Sequence, residues 1–137
     1  KIKFACDFVC AGKKYCYFIP AVMLAVGILI ASLLETGEIP YSSLSDKTMH
    51  VWAYAVLAIA TVYPLIRLDK HRWRHYLTAW IVCCAYGAMM ELLQSCCTVT
   101  RVGEWLDIVA NGIGTTVGLV FNYFVYCIWH HLRTNTK

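Results

Sequence analysis

Apolar residues run along this chain in four long blocks separated by short polar segments. Residues 15–34, YCYFIPAVMLAVGILIASLL, contain no charge. Residues 46–66 start polar at Asp46, Lys47 and His50 and then turn apolar, with Pro64 near the point where a helix is expected to stop. After Arg74, residues 73–94 are charge-free until Glu91, and residues 105–129 carry Asp107 as their only formal charge. A helix needs about 20 apolar residues to cross the roughly 30 Å hydrocarbon layer. The pattern therefore predicts an all-α polytopic membrane protein, a four-transmembrane-helix bundle forming one domain over residues 1–137. Trp and Tyr near several block ends fit the aromatic belts of membrane interfaces.

Within three of the blocks the polar residues recur at helical spacing, three or four apart, and so share one face. Lys47, His50, Tyr54 and Thr61 form one stripe; Cys84, Gly87, Glu91 and Gln94 form a second; Asp107, Asn111, Gly114 or Thr115, Gly118 and Asn122 form a third. Gly87, Gly114 and Gly118 are the small residues that let membrane helices approach closely. Asn111 lies too far into its helix to cap the end, which points to a side-chain hydrogen bond between helices. Asp107 sits where a helix N-terminus favours a carboxylate.

Composition supports the membrane class. The chain is 60% hydrophobic and 15% charged, against about 45–50% and about 25% for a soluble domain. Its 137 residues would give a soluble fold too little interior for that much apolar surface. The first block has a basic prelude, but a signal peptide has a shorter apolar region and a small-x-small cleavage site, so the block is read as a retained helix. The chain opens at Lys1, which leaves room for native residues upstream. Eight cysteines show no C-x-x-C spacing, which disfavours a zinc ribbon or a thioredoxin-type site. Cys96 and Cys97 in the polar stretch are at most a minor case for a disulfide or a metal.

Charge placement orients the helices. Ten of the twelve Lys and Arg residues lie before the first block, between the second and third, or in the tail; only Lys47 and Arg101 lie in the other two connections. Cytoplasmic loops are the ones enriched in Lys and Arg. Both termini are therefore expected in the cytoplasm, with 35–46 and 95–104 on the outer side. The same bias explains the net charge of +4 without a nucleic-acid partner. This topology brings Asp46, Lys47, His50, Glu91, Gln94, Arg101, Asp107 and Asn111 to the outer boundary as a shallow cup, with Arg101 expected to pair with Glu91 or Asp107. Glu35, Glu38 and Glu104 are expected to be solvated, and Lys47 can snorkel to head groups.

The pattern Asp46-Lys47-x-x-His50-x-x-x-Tyr54, then Glu91-x-x-Gln94, then Arg101, Asp107, Asn111, Gly114 and Gly118, resembles the VanZ-like family of small bacterial membrane proteins, over roughly residues 40–120. The resemblance implies a multi-pass protein of the bacterial cytoplasmic membrane with a cell-envelope role. The family takes its name from a protein linked to teicoplanin resistance. An older label for some members, phosphotransbutyrylase, finds no support, since no G-x-x-x-x-G-K-[ST] loop exists here.

Three readings follow. In the leading one, Asp46, Lys47, His50, Tyr54, Glu91, Gln94, Arg101, Asp107 and Asn111 bind or shield a polar envelope ligand: a lipid head group, a lipid-linked peptidoglycan precursor or a glycopeptide antibiotic. In the second, a membrane hydrolase or transferase uses His50, Glu91 and Asp107 as catalytic groups, with Arg101 as an anion clamp. In the third, the polar cluster joins helices in a structural or partner subunit, as an oligomer or with another protein. No cofactor is implied. A metal on His50, Glu91 and Asp107 is chemically feasible, but a single well-placed histidine assigns none. Ion transport is disfavoured, since Thr61, Cys84 and Asn122 make too thin a relay through the inner halves.

Overall fold

A computed structural model describes residues 16–33, 43–67, 72–97 and 104–135. They form four helices: α1 (Ile19–Leu33), α2 (Ser43–Arg67), α3 (Trp73–Cys97) and α4 (Trp105–Asn135). Each long helix begins within a few residues of its predicted block. The 25 residues of α2 and of α3 and the 31 of α4 give lengths of about 37, 37 and 46 Å at 1.5 Å per residue. All three are long and apolar enough to cross a membrane. The 15 residues of α1 reach about 22 Å on the same rise, so the described part of the first block is shorter than a full crossing.

Pro64 departs from expectation. It lies inside α2, which continues to Arg67. A proline in a helix removes one backbone bond and crowds the carbonyl four residues earlier. Here that loss falls in the last turn, where few bonds remain to be disrupted, and Pro64 is buried.

Helices α2 and α4 form the most extensive pair, and glycine explains it. A Cβ at Gly114 would collide with the Val51 carbonyl oxygen, and one at Gly118 with the Ala55 carbonyl oxygen. Small residues at membrane helix interfaces permit this backbone-to-backbone approach. Tyr54, Leu57, Ala58, Val62, Ala79, Cys83 and Leu119 form the core. Helix α1 is fastened at its side, where the Tyr86 hydroxyl donates to the Ala25 carbonyl at 2.6 Å. Large apolar side chains such as Trp52, Leu92, Phe124 and Ile128 face outward, as lipid would require.

Candidate functional site

Two turns at the start of α2, two at the end of α3 and two at the start of α4 meet at one end of the bundle. Because α3 runs opposite to its neighbours, its C-terminal Glu91 reaches the N-terminal turns of α2 and α4. On α4, Asp107, Asn111, Gly114, Gly118 and Asn122 are all buried, the single face that their spacing predicted. On α3, Gly87, Glu91 and Gln94 are buried.

The contacts across this end are specific. Lys47 Nζ donates to Glu104 Oε2 at 2.7 Å and to Asp107 Oδ1 at 3.3 Å. His50 Nδ1 lies 3.1 Å from Asn111 Oδ1 and 3.9 Å from Glu91 Oε1. Its Nε2 lies 3.9 Å from Asp46 Oδ2, one helical turn earlier on α2. Since an amide oxygen only accepts, the proton of neutral His50 sits on Nδ1 and the Nε2 lone pair faces Asp46. The imidazole is thus held between a buried amide and carboxylate on one edge and a half-exposed carboxylate on the other.

Glu91 is the unusual member. Its side chain is 4% exposed, and neither carboxylate oxygen meets hydrogen-bond geometry, as is also true of the Asn111 amide nitrogen and the Tyr54 and Thr115 hydroxyls nearby. Buried polar groups are nearly always paired, so an exception invites an explanation. Gly87 lies one turn before Glu91, and a Cβ there would press on the Asn111 side chain at 3.0–3.1 Å and on the Tyr54 ring at 3.2 Å. The glycine therefore makes room for the Asn111 amide that orients His50.

The other expected members make further contacts among the described residues. Gln94 is buried but turns toward α1, donating to the Ser32 carbonyl at 3.4 Å. Tyr54 is 1% exposed, with its ring centroid 6.3 Å from that of Tyr86 and its ring edge beside Gly87, next to the Asn111 side chain. Arg101, with its expected partners, lies outside the described residues. Glu104, expected to be solvated, is half-exposed yet makes the shortest ion pair at the site. Sequence reasoning missed this role; the one available signal was its position three residues before Asp107, on the same turn. Cys96 and Cys97 are exposed free thiols.

Below the cup the polar side chains serve the packing. Thr61 donates to the Leu57 carbonyl at 2.8 Å, and Asn122 donates to the Ile59 carbonyl and accepts from the Tyr76 hydroxyl, both at 3.4 Å.

No family model matches this chain, and neither a curated protein nor a solved structure matches it.

Proposed function

We propose that this chain is a multi-pass protein of the bacterial cytoplasmic membrane whose polar cup binds the head group of a lipid-linked envelope component. In this reading all four apolar blocks cross the bilayer, both termini are cytoplasmic, and the cup opens on the outer side. The distribution of Lys and Arg supports that orientation. The motif resemblance to the VanZ-like proteins supports the envelope role and extends it to glycopeptides of the teicoplanin type.

The observation that carries the reading is Glu91. A buried carboxylate without a hydrogen bond, beside a histidine held by an amide, costs the fold several kcal/mol. Intramembrane ionisable groups of this kind are retained where a ligand or a reaction uses them. Lys47 and the Asn111 amide supply the donors, and Glu91 and Asp107 the acceptors, that recognition of a polar head requires.

The test is capture of a labelled lipid-linked peptidoglycan precursor by the protein in nanodiscs, alongside teicoplanin susceptibility of cells expressing it. Glu91→Gln and Asp107→Asn should insert normally, lose capture and lose any protective effect. Variants that fold and retain both would end this reading.

One observation favours an enzymatic second reading. His50 has a carboxylate 3.9 Å from each ring nitrogen, an arrangement suited to proton transfer. Turnover of an undecaprenyl-type lipid that disappears in His50→Ala would establish it. An inert purified protein supplied with that lipid would exclude it.

A further inference from the structure

We propose that Asp46, His50 and Asp107 are the ligand set of a divalent-cation site at the rim of the cup, suited to Zn²⁺ or Mn²⁺. One donor atom from each lies within 4.8 Å of the others. Ligands about 2.1 Å from a zinc ion stand roughly 3.4 Å apart in a tetrahedron, so the three need draw in by only about an ångström. Asp46, with a side chain 38% exposed, gives an ion a path from solvent.

The surroundings of His50 are those of a metal ligand rather than of a surface imidazole. Metal-binding histidines usually donate their second ring N–H to a carbonyl or carboxylate, which fixes the tautomer and strengthens the donor nitrogen. Here Nδ1 faces the Asn111 oxygen at 3.1 Å, with Glu91 behind it at 3.9 Å. That leaves Nε2 for an ion on the Asp46 side. Asp107 comes from the other helix, and the Gly114 and Gly118 contacts hold that helix against α2.

Charge points the same way. Among the described residues of the cup, Asp46, Glu91, Glu104 and Asp107 face Lys47 as the single fixed cation. A divalent ion between Asp46 and Asp107 would be attracted by these carboxylates. Lys47 holds one Asp107 oxygen, leaving the second to the ion. One imidazole and two carboxylates suit Zn²⁺ or Mn²⁺ better than Mg²⁺ or Ca²⁺, which prefer all-oxygen sets. Three protein ligands also leave a position open to an oxygen of the head group, an extension that rests on the functional reading above.

The test uses chelator-stripped, detergent-solubilised protein without added lipid, titrated with Zn²⁺ and with Mn²⁺ by calorimetry. Parent and variants are compared, so that binding at cysteines or at tail histidines cancels. One equivalent of at least one ion should be lost in His50→Ala, and its affinity should fall at least tenfold in Asp46→Asn. Asp46 is half-exposed, so that variant should keep its melting temperature and elution profile. Equal stoichiometry and affinity in parent, His50→Ala and Asp46→Asn would overturn the site. If parent and variants bind the ions equally while the parent still captures the lipid-linked precursor, only the cation site fails and the functional reading stands.

Discussion

His50 and Asn111, 61 residues apart in the chain, are joined by a 3.1 Å contact between the imidazole Nδ1 and the amide oxygen. This bond ties the start of α2 to the start of α4 and sets which ring nitrogen faces the rim. Hydrogen bonds between membrane helices contribute about 0.6 kcal/mol on average and up to roughly 1.7 kcal/mol. A double-mutant cycle of His50→Ala and Asn111→Ala, read by reversible unfolding in mixed micelles, should return a coupling in that range. A value indistinguishable from zero would mean that the pair does not form.

The glycines of α4 make a sharper structural prediction. Gly114→Ala and Gly118→Ala place a methyl group against a backbone carbonyl of α2, which cannot rotate away. Each should destabilise by about 1–3 kcal/mol, the range for overpacking. Gly112 lies on the same helix, and a methyl group there would meet nothing within 4 Å. Gly112→Ala should be neutral or stabilising by up to about 1 kcal/mol, through helix propensity alone.

Glu91→Gln separates function from architecture. If the carboxylate were glue between helices, removing its charge should loosen the protein. Neither oxygen is hydrogen-bonded, so the isosteric amide should leave the melting temperature unchanged or raised while precursor capture is lost. A large fall in melting temperature would favour the structural-subunit reading.

Lys47 bridges a half-exposed and a buried carboxylate, and its two partners should respond differently. Lys47→Met leaves Asp107 buried without its cation and should lower the melting temperature clearly. Glu104→Gln removes only the exposed arm and should lower it much less, because water and salt already screen that contact. Equal effects would mean that Asp107 gains nothing from the pair.

Tyr86→Phe tests how α1 is held. Losing the 2.6 Å bond to the Ala25 carbonyl should cost about 0.5–1.5 kcal/mol, the usual net value of such a bond. Limited proteolysis should then cut near α1 faster than elsewhere. An unchanged pattern would show that packing alone retains the helix.

Much of the architecture is legible in the sequence because it depends on local properties. The length of an apolar run sets whether a helix can span, and a recurrence of three or four residues sets which side chains share a face. Asp107, Asn111, Gly114, Gly118 and Asn122 are buried together for that reason. Alternating helix direction likewise brings His50, Glu91 and Asp107 to one end. The pairings, however, depend on how far each helix is rotated and how closely it approaches its neighbour. That was decided in three dimensions, where Gly114 and Gly118 bring α4 onto α2. It is why Lys47 meets Glu104 as well as Asp107, and why Gln94 reaches the Ser32 carbonyl of α1. It is also why Asp46 joins His50 and Asp107 where sequence reasoning had weighed Glu91. Contacts made across about sixty residues leave no periodic trace in the chain, so only the packed bundle defines them.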